Sequence, residues 1–280
     1  MSALTFTLKQ TPRQRLDVSP LTPDRLQGLS IEQINALPLR CGNTEQPVAA
    51  WFDVAGDDAL NMVVTGHDRL DFIGQGMSQG KIIVNGDAGA YLGQHMQGGE
   101  IQVSGDVGLY AACELKNGLI VIDGNAGDFL GAALPGNKAG MKGGTVLVKG
   151  NVGDRAGDHL RRGRILIEGD AGAYLGARMI AGTIAVMGKV GAYPGFAMRR
   201  GTLLLWQSPE LTGNFNDCGA HTLSFLPMLF TSFQALPGRF SQTENAFNRV
   251  RRYAGDMAEL GRGEVLVRWH GQADGSGERA

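Results

Sequence analysis

One phrase recurs through the middle of the chain and limits what the chain can fold into. Its clearest copies read GKIIVNGDAGAYLGQHMQG from Gly80 and GRILIEGDAGAYLGARMIAG from Gly163. The glycine that closes each apolar run falls at Gly66, Gly86, Gly105, Gly124, Gly150, Gly169 and Gly188, a spacing of 19 or 20 residues interrupted once by 26. A fixed period of this length marks stacked repeats, in which each unit buries its apolar face only against its neighbours. The 43 glycines are therefore positional, because a chain that is 43% hydrophobic is too apolar for a glycine-rich linker.

Written in columns, the repeat gives two aliphatic ladders two residues apart. The first runs Met62, Ile82, Ile101, Ile120, Val146, Ile165, Ile184, Leu203; the second runs Val64, Val84, Val103, Ile122, Val148, Ile167, Val186, Leu205. Period-2 alternation predicts strands, and one strand per repeat predicts parallel, in-register stacking at ~4.8 Å. The expected fold is all-β: a right-handed parallel β-helix, or solenoid, of about seven coils. Second short strands such as Ala90-Tyr91-Leu92 would build its other sides. Residues 1–59 would form an N-terminal cap with a strand at Leu4, Phe6 and Leu8 and two short helices opening at Thr22-Pro23-Asp24 and Ser30. Residues 60–206 would be the β-helix, and 207–280 an extension packed on it, with a helix near 243–255 and a disordered tail.

Between the core ladders lies an outward column that is not polar: Val63, Ile83, Gln102, Val121, Leu147, Leu166, Ala185, Leu204. A contiguous aliphatic ridge needs a cover, either the chain's own terminal segments or another subunit. Ile83, Val121, Leu147, Leu166 and Leu204 are thus candidate partner contacts.

A net charge of -1 offers no bulk attraction to nucleic acid or to an anionic membrane. No signal-peptide core or membrane-length apolar run is present, and Cys41, Cys113 and Cys218 are too scattered for a disulfide framework. A cytoplasmic protein is expected. The glycine phrases lack a GK[ST] ending and open no helix, which argues against a phosphate loop. The column His67, Asp87, Asp106, Asn125, Asn151, Asp170, Lys189 is read as turn capping in preference to a metal ladder. Cys218 beside Asp217 and His221 is the best nucleophile-and-base grouping, yet a cysteine in such a loop is more often inert. No catalytic residue and no metal site are assigned.

Two features stand out from the pattern. An aromatic column, Phe72, Tyr91, Tyr110, Phe129, Tyr174, Tyr193, is broken by Arg155, one repeat after the only insertion, Pro135 to Met141. Pro135, Asn137, Lys138 and Arg155 are candidate partner contacts. Basic residues precede the last glycine of several repeats: Lys116, Lys142, Arg161 with Arg162, and Arg199 with Arg200. They suit either a solvated edge or a track for an anionic partner.

The repeat, the opening LTPDRLQGLSIEQINALPLRCGN and the phrase WFDVAGD resemble the C subunit of the formylmethanofuran dehydrogenase family, and the region after Phe233 is most like the C subunit of the formyltransferase/hydrolase complex of methylotrophs. The repeat also resembles the C-terminal domain of the glutamate synthase large subunit. The resemblance implies a non-catalytic scaffold alongside subunits A, B and D. That complex moves a formyl group from formyl-tetrahydromethanopterin to a methanofuran-type cofactor and hydrolyses it to formate. It also implies that the basic column attracts the cofactor's polyglutamyl tail. Ala112, Arg155 and Lys189 depart from the family pattern. Two alternatives stay open: the C subunit of a metal-dependent formylmethanofuran dehydrogenase, and a self-standing enzyme acting on an extended anionic substrate.

Overall fold

The fold is known from a computed structural model that describes residues 2–243 and 246–269. The N-terminal segment supplies β1 (Ala3–Leu8), β2 (Leu16–Asp17), α1 (Pro23–Leu26), α2 (Ile31–Ala36), β3 (Pro38–Cys41), β4 (Thr44–Pro47), α3 (Val48–Trp51) and β5 (Phe52–Ala55). The repeat supplies β6 (Asp58–His67), β7 (Leu70–Asp71), β8 (Lys81–Ala88), β9 (Glu100–Val103), β10 (Leu119–Ile122), β11 (Lys142–Val148), β12 (Arg162–Ile167), β13 (Thr183–Val186) and β14 (Arg200–Leu205). After it come β15 (Asn216–Thr222), α4 (Phe225–Thr231), a 3-10 turn at Arg239–Gln242, β16 (Arg249–Gly255) and β17 (Arg262–Arg268).

The architecture corrects the expected all-β right-handed parallel β-helix. It is one mixed sheet of 13 strands, ordered β15-β16-β17-β14-β13-β12-β11-β10-β9-β8-β6-β1-β5, with a second sheet of four, β4-β3-β2-β7, and a few short helices. Two findings overturn the earlier reading. Non-repeating strands extend the sheet at both ends through antiparallel pairs, β1 with β5 and β16 with both β15 and β17. The stretches expected as second strands are turns: Tyr91 and its equivalents Phe72, Tyr110, Phe129, Arg155, Tyr174 and Tyr193 have φ of 57 to 64°, a left-handed geometry that a strand cannot continue through. The rows stay joined there by single bridges such as Ala88 with Val107 and by turn hydrogen bonds such as Tyr91 N–H to the Leu109 carbonyl at 2.9 Å.

Within the sheet, the aliphatic ladders stack in register. Ile120 pairs with Ile101 and Val146, and Ile165 with Val146 and Ile184. The two columns are buried, from 0 to 4% exposed, and each aliphatic contributes roughly 1.5–3 kcal/mol on leaving water. The half-exposed aromatic side chains offset their backbone strain by stacking, with ring centroids 4.9 Å apart for Phe72 and Tyr91 and 4.6 Å for Tyr110 and Phe129. Turn capping also joins the rows. Asp87 Oδ1 accepts the Asp106 N–H at 2.8 Å, Asp106 the Asn125 N–H at 2.7 Å, and Asn151 the Asp170 N–H at 2.8 Å. Each is worth about 1 kcal/mol.

The aliphatic ridge is covered by the chain itself over most of its length. Val121, Leu147, Leu166, Ala185 and Leu204 form a second core with Leu226, Phe230, Phe233, Phe240, Val250 and Leu266. Val121, Leu147, Leu166 and Leu204 are therefore not available as partner contacts, whereas Val63 and Ile83 stay half-buried beyond the cover. Of the stretch 243–255 expected as a helix, Arg249–Gly255 is the strand β16, and residues 244 and 245 lie outside the described residues. The reason is tertiary: β17 pairs in parallel with β14 and offers β16 an antiparallel edge. The expected disordered tail, from residue 271 on, lies outside the described residues. In the N-terminal segment both short helices form, and Ser30 and Gln33 make a reciprocal capping box at 3.3 and 2.8 Å.

Candidate functional site

The repeat sets the basic residues at corners. The glycine that follows the basic residues of each row lies over a buried methionine or leucine: a Cβ on Gly163 would meet Met141 Cε at 2.7 Å, and one on Gly201 would meet Met179 Cε at 2.6 Å. With the interior filled, the preceding Arg161, Arg162, Arg199 and Arg200 are exposed. In-register pairing then lines the cations up. Lys142 pairs with Arg162, and Arg200 pairs with Arg262.

Five of the six predicted basic residues, Lys142, Arg161, Arg162, Arg199 and Arg200, surround one open hollow of about 660 Å³ whose apolar lining is Ile180, Ala181 and Leu260. The sixth, Lys116, lines a neighbouring hollow of about 510 Å³ that shares Lys142 and adds Arg25 and His95. On the other side a hollow of about 230 Å³ shares Arg199 and Ile180 and adds Lys138, His159 and Arg178. The result is a continuous basic groove across the rows. Lys142 and Arg199 have partners, Glu114 at 3.3 Å and Glu259 at 3.4 Å. Among the described residues Lys116, Arg161, Arg162, Arg200 and Arg262 enter no ion pair within 4.0 Å.

Sequence reasoning missed Arg262, although the signal was present. Arg262-Gly263-Glu264-Val265-Leu266-Val267 repeats the pattern of Arg200-Gly201-Thr202-Leu203-Leu204-Leu205 after a gap of 62 residues. The intervening C-terminal segment hid it from a search for a 19-residue period.

The insertion is pinned at its base. Pro135, Asn137 and Lys138 are exposed, while the Glu114 carboxylate, its side chain 7% exposed, accepts from Asn137 Nδ2, from the Leu134 N–H at 3.3 Å and from Lys142 Nζ at 3.3 Å. Burial, the largest influence, pushes the Glu114 pKa up, but these three donors together outweigh it and hold it below the ordinary 4.5. A lowered folded value means that folding favours the charged form, so its contribution is present above pH 4.5 and is lost as pH falls through the lower folded value. The Leu134 amide resonance should accordingly hold steady from about pH 8 to about pH 5 and shift only below the ordinary carboxylate range. A shift centred above that range would contradict the assignment.

Arg155, which breaks the aromatic column, has partners within the chain. It lies 4.8 Å over the Tyr174 ring, filling the place of the missing aromatic, and 3.8 Å from the buried Asp158 carboxylate. That carboxylate also takes Arg178 Nε at 3.0 Å and His159 Nδ1 at 3.0 Å.

The cysteines do not form a nucleophilic site. His221 Nε2 lies 2.8 Å from the Cys218 carbonyl oxygen rather than at its thiol, and Asp217 is taken by Arg251 at 2.9 Å and by the Gly219 N–H at 2.9 Å. Cys113 is buried, and burial pushes its thiol up to about 12, far from a thiolate. No group of three or more His, Cys, Asp or Glu among the described residues has a metal-binding arrangement. No helix among them is long and apolar enough to cross a membrane.

Comparison with known proteins fits this picture. The GXGXG motif family model matches residues 60–217. The C subunit of the molybdenum-containing formylmethanofuran dehydrogenase 1 of Methanothermobacter marburgensis is 40% identical over 77 residues, 26% of this chain and 19% of that protein. The C subunit of the tungsten-containing formylmethanofuran dehydrogenase 2 of Methanococcus maripaludis is 32% identical over 92 residues, 32% of this chain and 34% of that one. The chain thus aligns with between a fifth and a third of these curated relatives. A chain in the crystal structure of the formyltransferase/hydrolase complex (FhcABCD) from Methylorubrum extorquens, solved with methylofuran, superposes with a TM-score of 0.89 at 39% identity, covering 95% of this chain and 100% of that one.

Proposed function

Because the chain belongs to the GXGXG family and, within it, to the family of formylmethanofuran dehydrogenase C subunits, we propose that it is the non-catalytic C subunit of a formyltransferase/hydrolase complex. In this reading it acts in the cytoplasm as a scaffold that holds subunits A, B and D in a fixed relation. Those subunits pass a formyl group from formyl-tetrahydromethanopterin to a methanofuran-type cofactor and release it as formate. The observation that carries the proposal is likeness along nearly the whole chain, 95% of it, to a chain of such a complex.

The physical properties of the chain suit the role. A 13-stranded sheet spans roughly 55–60 Å at one strand per ~4.8 Å. Side-chain ladders couple every row to the next, so a partner bound at one end keeps a fixed distance from one bound at the other. Candidate contacts are the uncovered Val63 and Ile83, the exposed Pro135, Asn137 and Lys138, the half-buried Arg155 and the outer face of α4 with Phe225 and Met228. The dehydrogenase alternative rests on the curated relatives, whose matches span only 77 and 92 residues, so the full-length likeness weighs more.

The test is activity by addition. The isolated chain is expected to neither transfer nor hydrolyse formyl groups, and adding it to subunits A, B and D should raise their coupled rate. Turnover by the isolated chain would overturn the reading.

A further inference from the structure

We infer that the hollow beside the N-terminal hairpin is a docking site for the free C-terminus of another polypeptide, bound as a short extended segment that ends in a carboxylate. This goes beyond the scaffold role and does not rest on it, because the hollow is built by residues 10–51, outside the stretch that the GXGXG family model matches.

The hollow has a volume of about 420 Å³, within the ordinary size range of ligand sites. It lies between the hairpin β3–β4 and the segment that leaves β1. That segment is tied to α3, because the Lys9 N–H donates to the Trp51 carbonyl oxygen at 2.8 Å and Gln10 Nε2 to that of Ala50 at 3.4 Å. Trp51, the last residue of α3, is thereby fixed in the lining. The residue is buried, at 7% exposure, and its indole Nε1 has no hydrogen-bond partner among the described residues. An indole N–H only donates, and a buried donor left unsatisfied loses its hydration with nothing in exchange. The site calls for an acceptor.

The rest of the lining selects which acceptor. Arg13 is exposed and, among the described residues, enters no ion pair within 4.0 Å. One guanidinium and one neutral N–H suit a single carboxylate, which the guanidinium fork matches in two-point contact. No His, Asp or Glu lines the hollow, so a metal ion finds no ligand set there. Gln10, Gln14, Asn43 and Gln46 complete the walls. Each amide both donates and accepts, which matches the alternating N–H and C=O groups of a peptide backbone.

The neighbouring strand favours an extended segment. β4 is an outer strand of the four-stranded sheet, and all its residues are exposed. The Gly42 N–H donates to the Arg15 carbonyl oxygen at 3.3 Å, so alternation turns the backbone groups of Leu39 and Cys41 toward β4, where they meet Gln46 and Thr44. The Glu45 N–H and C=O then point out of the sheet, between two residues that line the hollow. A peptide along that edge finds backbone partners beside the hollow. Strand addition and capture of a terminal carboxylate are both recurring modes of peptide recognition.

The experiment follows the Trp51 indole N–H resonance of the full-length chain by NMR, assigned through its own backbone. The probe is an N-acetylated tetrapeptide library with randomised side chains and free carboxylates; the same library with amidated C-termini, and sodium acetate, are the comparisons. The carboxylate library at about 1 mM, the weak end of specific recognition, should move the resonance downfield and saturably. Each comparison should require at least about tenfold more for the same movement, as should the carboxylate library on Arg13→Gln, a change at an exposed side chain that should keep the parent melting curve. A Trp51 resonance that does not move, an equal response to the amidated library or to acetate, or unchanged binding by Arg13→Gln each overturns the inference. Peptide binding is read on the chain alone and assembly with subunits A, B and D by mass, so the two readings fail separately.

Discussion

Replacing Phe230 by alanine is expected to lower the free energy of unfolding by about 3–5 kcal/mol, the usual cost of deleting a buried ring and leaving a cavity. Phe230 is fully buried, at 0% exposure, in the second core, with its ring 6.0 Å from Trp206, 6.2 Å from Phe233 and 5.1 Å from Phe247. The ring joins the C-terminal cover to Leu147, Leu166 and Leu204 on the sheet. Its loss should also uncover that aliphatic ridge, giving increased binding of a hydrophobic dye before global unfolding. Met228, on the same helix but 77% exposed, is the control. Its alanine variant should stay within about 0.5 kcal/mol of the parent in urea denaturation. A Phe230 variant as stable as the Met228 variant would mean that the cover does not hold the ridge.

Gly169→Ala should also be destabilising, through steric contact at a corner of the repeat. A Cβ there would sit 2.4 Å from Asn151 Oδ1 and 2.5 Å from the Gly150 carbonyl oxygen, nearer than real Cβ contacts come. Neither neighbour is free to yield. The Gly150 oxygen accepts the Gly169 N–H at 3.1 Å, and Asn151 Oδ1 accepts the Asp170 N–H at 2.8 Å. Rows β11 and β12 would have to part, at about 1–3 kcal/mol or more as for other overpacked sites. Gly213→Ala is the matched control, since nothing lies within 4 Å of its added Cβ. It should change stability by no more than about 0.5 kcal/mol. Equal midpoints for the two variants would show that the corners are not sterically tight.

These two sites also show what was legible in the sequence. The glycine corners and the core columns could be read directly, because a side chain every second residue and a strand every 19 residues both leave aliphatic traces, as at Ile101, Ile120 and Ile165. Fold class was misread, because a repeat specifies how rows stack and not how a sheet ends. β1 and β5 at one edge and β17, β16 and β15 at the other come from outside the repeat, and their antiparallel pairing depends on contacts remote in sequence. Tyr91 looked like a strand residue by type, yet it takes a left-handed turn because its ring stacks between Phe72 and Tyr110. The ridge announced that it needed a cover without saying which. Phe230, Phe233 and Phe240 carry no periodic signal that ties them to Leu166. Of the candidate site, the six basic residues were legible as a column, but their convergence on adjoining hollows was not, and neither was Glu114 as the anchor of the insertion.

The scaffold reading meets its most direct test in the mass of the assembly. Co-expressed with its candidate partners A, B and D and measured by size-exclusion chromatography with light scattering, the chain should run in one species containing all four polypeptides. Omitting the chain should make A and D elute apart from each other. A complex of A, B and D that keeps its mass and composition without this chain would contradict the account.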